Sequence, residues 1–407
     1  MTDSTDPAVA PADAEPGERH ASWLELFFDL TAVAGVAQLA HLLHGGPSWP
    51  DLGLYVVMFV AFWTGWMLFT VYGNVSGDEA RVWTLLAGMF GLAVMAAAVH
   101  GVREGTQAGA FALAYVLVRS VAGKAWGRRR EYVADLPITQ MGFGLTPWIV
   151  SMWFDGAARY ALWALGLAVD LAVMFSVSSK RLTARVDEEY AQTAARGRGA
   201  GRAVRLRAAY TDPAHLGERL GLFVLIVLGE GIAQVVSAAS DIPWDRALYG
   251  AGAGSFVLLI LLWELSLRHG SGGVPLLREN TLPTRLSLPL HSFVAGSVAA
   301  MAAALGDCVA HADEAVPERV RWLLCAGLAV FLLVAGVALV CSGRGAGRAL
   351  LWAGPPVALV VAVGGLAREV RPGPLVWLLV LAAWWPVLLR LRFDRPAAPA
   401  SPDHMSS

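Results

Sequence analysis

LELFFDLTAVAGVAQ, residues 24–38, recurs as LGLFVLIVLGEGIAQ, residues 220–234. Aligned without gaps, the two stretches share Leu24/Leu220, Leu26/Leu222, Phe27/Phe223, Gly35/Gly231, Ala37/Ala233 and Gln38/Gln234. Unrelated apolar helices seldom agree at so many positions, so the chain reads as a duplication. The copies differ in their acids. The first carries Glu25 and Asp29 near its start, and the second carries Glu230 deep in its apolar run.

Both stretches belong to a chain of 407 residues in which 56% are hydrophobic and only 15% charged, with a mean hydropathy of +0.54. A soluble chain must cover its surface with polar groups and could not be so apolar. A bilayer core about 30 Å thick takes about 20 helical residues. Segments of that kind lie near 23–43, 52–72, 81–100, 107–126, 136–154, 158–178, 217–238, 247–267, 284–305, 320–341, 348–366 and 374–391, which predicts twelve spans. Barrel strands alternate apolar and polar residues, whereas Leu323–Val340 is apolar almost throughout. The expected fold is all-α, a polytopic membrane protein of two six-helix parallel repeats.

The domain reading follows. Residues 1–22, without the basic start and apolar stretch of a signal peptide, are expected to form a disordered cytosolic tail. Residues 23–179 form the first repeat, 180–214 an Arg-rich cytosolic linker, 215–392 the second repeat and 393–407 a second disordered cytosolic tail. Loops on the side of the tails carry roughly three times as many Lys and Arg as the opposite loops, so both termini are expected in the cytosol and the chain in the cytoplasmic membrane. The partners expected are the lipid bilayer, anionic lipid headgroups at Lys180–Arg207, and a small cation or small-molecule substrate. A formal charge of −1 gives no nucleic-acid footprint. Cys308, Cys325 and Cys341 are too scattered for a metal site or a disulfide framework, so no metal and no cofactor is expected.

Trp23, Trp49, Trp126, Trp153, Trp244 and Trp322 lie near predicted helix ends, where an indole anchors at the interface. Trp63, Trp66 and Trp163 fall inside helices and are expected to pack within the bundle.

An ionisable side chain inside a spanning helix costs a few kcal/mol, so it is retained where it is paired or useful. Glu25 and Asp29 are four apart on one helical face. They read either as an interfacial pair for Arg19 or His20, or as a cation or proton site. Arg119 and Asp170 fall at similar depth and read as a structural ion pair, as do Glu264 and Arg268, four apart with the acid first. Glu230 is the deepest acid and the candidate working carboxylate, with Gln234 one turn on. His291, after Pro289, reads as a proton relay or a packed core residue. Gln38 and Gln234 are expected to hydrogen-bond between helices.

Trp23-Leu-Glu25-Leu26-Phe27-Phe28-Asp29-Leu30 with Gln38, followed by Glu218-Arg219-Leu-Gly-Leu-Phe and Leu228-Gly229-Glu230, resembles the low-temperature-requirement protein A (LtrA) family over almost the whole membrane region. The chain departs from the family pattern at Trp263-Glu264-Leu265-Ser266 and at Ser287, with its histidine at His291 after the proline. The resemblance implies a polytopic bacterial membrane protein associated with growth at low temperature, without a settled biochemical activity.

Three functions fit these residues. The favoured one is a channel or carrier for a small cation or proton-coupled solute, with Glu25, Asp29, Glu230, Gln234 and His291 as its polar stations. The second is a membrane-embedded enzyme using Glu25, Asp29 or Glu230 as general acid on a lipid or isoprenoid. The third is a non-catalytic stress-adaptation protein. A narrow polar path joining the acids would favour transport, and a wide apolar pocket around them an enzyme.

Overall fold

The computed structural model describes residues 20–129, 131–139, 142–176, 179–195, 207–279 and 281–393, so the expected tails fall almost wholly outside it. The first half contains helices α1 (Trp23–His41), α2 (Trp49–Ser76), α3 (Val82–Arg103), α4 (Ala108–Arg129), a short α5 (Leu145–Val150) and α6 (Gly156–Ser176). A linker helix α7 (Ser179–Ala195) follows. The second half contains α8 (Pro213–Ser240), α9 (Arg246–Trp263), α10 (Thr284–Ala310), α11 (Glu318–Cys341), α12 (Ala346–Leu366) and α13 (Pro372–Phe393). Among the described residues eleven helices are long and apolar enough to cross a membrane. The only sheet among the described residues pairs β1 (Glu131–Val133) in parallel with β2 (Arg207–Ala209), tying the linker to the end of α4. The fold is that of an all-α polytopic membrane protein.

Local chemistry sets the helix starts. Ser22 and Glu25 cap α1 reciprocally, Ser48 and Asp51 do the same for α2, and Asp212 caps α8 with Pro213 at its first position. Each cap satisfies amide groups that bilayer hydrocarbon would leave bare.

Cross-contacts give the direction of every crossing. His44 and Asp307 join the ends of α1 and α10, Thr211 and Thr284 join the starts of α8 and α10, and Tyr160 donates to the Val102 carbonyl from the start of α6 to the end of α3. Arg390 donates to the His269 carbonyl, bringing the end of α13 beside that of α9. The start of α1 and the end of α13 therefore lie on the same face of the bundle. The neighbour pattern has one form in both halves, since α1 packs on α3 and α3 on α4 as α8 packs on α10 and α10 on α11.

The fifth crossing differs from the expected continuous helix at 136–154. The chain passes between the faces there in pieces: a 3-10 turn at Pro137–Thr139, then α5, then a second turn at Ser151–Trp153. Its depth follows α4 in reverse. Thr139 shares a cavity with Lys124, Trp148 stacks near Tyr115 and Phe111, and Ser151 accepts from Trp163 Nε1 at 2.9 Å. Pro137 and Pro147 cannot donate to a helical ladder, and broken backbone at membrane depth persists only where protein covers it. The Arg119–Asp170 pair supplies part of that cover. Arg119 Nη1 donates to Asp170 Oδ2 and to Tyr115 Oη, Nη2 donates to Asp170 Oδ1 at 3.2 Å, and both charged side chains are buried. Gly144 lies against this pair, and a Cβ there would fall 2.3 Å from Asp170 Cγ and 2.5 Å from the Gly166 carbonyl oxygen.

Tryptophans sort by depth. Trp23, Trp49, Trp153 and Trp244 are exposed at helix ends, while Trp63, Trp66 and Trp163 are buried. Trp126 corrects the sequence reading: although near a helix end it is 1% exposed, packed edge-on against Tyr72 beneath the α2–α3 connection.

Arg119→Met strands a buried carboxylate and is expected to cost about 3–5 kcal/mol, whereas the paired replacement Arg119→Met/Asp170→Leu costs much less. Thermal unfolding of the two variants in detergent checks this, and equal losses would contradict it.

Candidate functional site

Ser22 and Asp212 cap two helices that run side by side in the same direction, and the site is what stands above them. Glu25 and His215 each lie three residues past their caps, and Asp29 and Arg219 seven. The partners Asp29 and Arg219 are 190 positions apart, a contact register distinct from the one that aligns Leu24 with Leu220.

Arg219 is 1% exposed and Asp29 fully buried. Its guanidinium grips Asp29 with two parallel bonds, Nε to Oδ2 at 3.0 Å and Nη2 to Oδ1 at 2.7 Å, the bidentate geometry that guanidinium and carboxylate share. Its third nitrogen, Nη1, lies 3.0 Å from Glu25 Oε1, and Nη2 also donates to the Glu25 carbonyl oxygen at 3.3 Å. From α2, Trp66 Nε1 donates to Asp29 Oδ1 at 2.8 Å. One guanidinium thus contacts two carboxylates.

A second layer fixes Glu25. Its Oε2 accepts the Ser22 N–H at 2.8 Å and faces His215 Nε2 at 3.6 Å. Asn74, at the end of α2, is held at both ends of its amide by the Asp212 backbone, with Nδ2 to the Asp212 carbonyl at 3.0 Å and the Asp212 N–H to Oδ1 at 2.9 Å. The same Nδ2 lies 3.0 Å from His215 Nδ1 and donates to it. That makes Nδ1 the lone-pair nitrogen and puts the ring proton on Nε2, towards Glu25. Gly73 leaves room for the carboxylate, since a Cβ there would meet Glu25 Oε1 at 2.9 Å.

One turn further in, His291 of α10 accepts from Trp63 Nε1 at 3.0 Å and pairs through Nε2 with the Leu220 carbonyl oxygen at 2.9 Å. Trp63, Trp66 and Phe223 surround its ring.

Glu230 and Gln234 stand apart from this group, towards the opposite face. α8 starts before the predicted 217 and runs to Ser240, so Glu230 falls past its midpoint, half-buried, beside the histidines that end α1. Gln234 bonds within its own helix, Nε2 to Glu230 Oε1 at 2.7 Å, and also reaches His44 beyond the end of α1. Next to them His44 Nδ1 lies 2.7 Å from Asp307 Oδ1, whose other oxygen accepts the Gly45 N–H at 2.8 Å. Glu264 and Arg268 are 3.2 Å apart, on the surface at the end of α9, with His269 Nε2 3.0 Å from the same carboxylate.

Sequence reasoning placed Glu25 and Asp29 together and looked to Arg19 or His20 for a partner. Arg19 lies outside the described residues, and His20 faces Glu218 at 3.7 Å. Arg219, His215 and Asn74 were missed. For Arg219 a signal existed: an arginine as many residues past Asp212-Pro213, a helix-start pair, as Asp29 is past Ser22.

The fold and this buried, charge-bearing contact between halves define a multi-pass membrane protein with an intramembrane ionic site. The sequence model of the Bacterial low temperature requirement A protein (LtrA) family matches residues 20–405, nearly the whole chain, and the protein belongs to that family. No curated protein and no solved structure matches the chain.

Two outcomes are expected. Arg219→Gln leaves two buried carboxylates facing each other and should cost about 3–5 kcal/mol, read as a fall in thermal midpoint; an unchanged midpoint would contradict the geometry. At the opposite face, the Asp307 hydrogen bond raises the His44 pKa against the lowering effect of burial, with Gln234 and Glu230 adding to the rise. The folded value thus exceeds the unfolded one, so this tie contributes in full below about pH 6.5 and is lost as pH climbs through the raised value. Asp307→Asn should flatten that alkaline loss in a midpoint-against-pH series, and an unaltered slope would count against it.

Proposed function

We propose that this LtrA-family protein is a carrier for a small cation or proton-coupled solute, in which the Glu25–Asp29–Arg219 group is the element that responds to charge. The observation that carries the reading is the make-up of that group: two buried carboxylates share the Arg219 guanidinium inside the bundle, with the His215 ring 3.6 Å from Glu25. Two acids on one guanidinium compete for its positive charge, so a proton or monovalent cation is attracted there, which is the affinity a transport site uses.

The group also joins α1 and α2 of the first half to α8 of the second. A change of charge there alters the attachment between halves, and alternating access requires two arrangements of that attachment. Glu230 and Gln234, with His44 and Asp307, serve as the station at the opposite face, and His291 stands on the path. Val36 of α1, Phe62 of α2, Val227 of α8 and Val298 of α10, which fall between the stations along their helices, are buried, which suits an occluded conformation. In the cytoplasmic membrane with both termini inside, the Glu25 end faces the cytosol and the Glu230 end the exterior. The parallel neighbour patterns support two duplicated halves related by rotation about the membrane normal.

Neither of the two described cavities is lined by Glu25, Asp29 or Glu230. An enzyme using these acids on a lipid would need its substrate beside them, and a carrier would need a path to them that opens when the halves move apart.

The test is proton and cation flux in vesicles reconstituted with the full chain under an imposed pH gradient. Wild type should dissipate the gradient when the right cation is supplied. Asp29→Asn and Glu230→Gln should each slow it about tenfold or more, equivalent to about 1.4 kcal/mol of lost stabilisation. Absence of flux across monovalent and divalent cations, or full pH-dependent flux in both variants, would defeat the proposal.

A further inference from the structure

Apart from the acids, the first half holds a cavity of about 260 Å³ where α2 ends, α3 begins and α4 leaves the bundle. Its volume falls under the ~300–1,000 Å³ of pockets for drug-sized ligands, and so suits a small group. Its walls are rich in donors. Arg129 holds both acids of the lining, Nε to Glu131 Oε2 at 2.7 Å and Nη2 to Glu79 Oε2 at 3.1 Å. The guanidinium groups of Arg81 and Arg128, which line the same space, have no carboxylate within ion-pair distance among the described residues.

Two hydroxyls add to them. Tyr72 Oη accepts the Arg81 N–H at 3.2 Å, which leaves its own proton for a further acceptor, and Thr84 lines the wall beside it. Arg81 is also the N-cap of the 22-residue α3, with no side chain capping the amides of the first turn, so the positive end of that helix adds to the field. The lining thus sums to one net positive charge, with guanidinium and hydroxyl donors around a space that offers no free carboxylate.

From these donors we infer that the cavity is a binding site for a phosphate group carrying more than one ionisable oxygen. Planar guanidinium forks match phosphate oxygens, and two of them with a phenol and a hydroxyl give the donors such a group needs. The depth fits a membrane interface. Trp83, one residue from the start of α3, is 82% exposed and stands where indoles anchor among headgroups. The phosphate could come from a phosphomonoester lipid headgroup in the leaflet or from a free phosphate in solution, and both present the same chemistry to Arg81 and Arg128. This inference is independent of the transport reading, because the cavity shares no residue with the Glu25–Asp29–Arg219 group.

The experiment uses the full chain in nanodiscs. One arm compares phosphatidylcholine discs with discs that also contain phosphatidic acid. The other titrates inorganic phosphate against chloride at constant ionic strength in phosphatidylcholine discs. The thermal midpoint is read in both, because a ligand that binds only the folded state raises it, and native mass spectrometry counts bound lipid. Wild type should be stabilised in at least one arm. The phosphatidic acid arm alone would assign a lipid headgroup, and the phosphate arm alone a soluble anion.

The double variant Arg81→Gln/Arg128→Gln should weaken the response about tenfold or more, and Tyr72→Phe about threefold, as expected for lost charged and neutral hydrogen bonds. No stabilisation of wild type in either arm would overturn the inference, as would an undiminished response in the double variant. Should the double variant fail to fold in phosphatidylcholine discs, Tyr72→Phe decides: a weakened response supports the site and an unchanged one refutes it.

Discussion

Arg219 satisfies two carboxylates from the other half of the molecule inside a medium that tolerates no unpaired charge, and much of the structure follows from that constraint. Holding Asp29 with two nitrogens and Glu25 with a third requires α1 and α8 to run parallel with their caps level. Level caps in turn place His215 opposite Glu25 and bring the end of α2, with Gly73 and Asn74, against the start of α8. Trp66 closes the group from α2, and the next aromatic layer packs on it around His291. Removing the guanidinium would take from Asp29 its two charged donors and leave Glu25 facing the ring of His215.

The second buried ion pair shows the same physics put to a different use. Arg119 and Asp170 sum to zero charge and are further satisfied by Tyr115, so nothing there calls for a proton or an ion. The pair instead covers the broken fifth crossing, where Gly144 brings unwound backbone close to Asp170. A neutral pair suits a fixed structural joint, and two acids sharing one guanidinium suit a responsive one. That contrast separates the two sites although both consist of arginine and carboxylate.

Hydropathy made most of the fold legible, because apolar length is what a bilayer demands and the chain has little else at these positions. The fifth crossing was the exception. An average over 136–154 is apolar enough for a helix, and the break lies in Pro137, Gly142, Gly144 and Pro147, whose effect is on the backbone ladder and not on hydropathy. At the candidate site, the spacing of Glu25 and Asp29 predicted a shared face, but their partner came from a segment 190 residues away. Asn74 had no legible signal, since it acts through the Asp212 backbone. Glu230 lies past the midpoint of α8 because the helix begins at Pro213, upstream of where its apolar run begins.

The central claim is that the Glu25–Asp29–Arg219 group takes up and releases a proton while the rest of the bundle stays folded. Infrared difference spectroscopy on membranes holding the full chain, stepped in pH, reads the C=O stretch of protonated carboxyl groups directly. The account predicts a band that grows as pH falls and that is lost in Asp29→Asn or Glu25→Gln while the amide bands stay unchanged. A spectrum with no titrating carboxyl band, or one whose band survives in both variants, would contradict it.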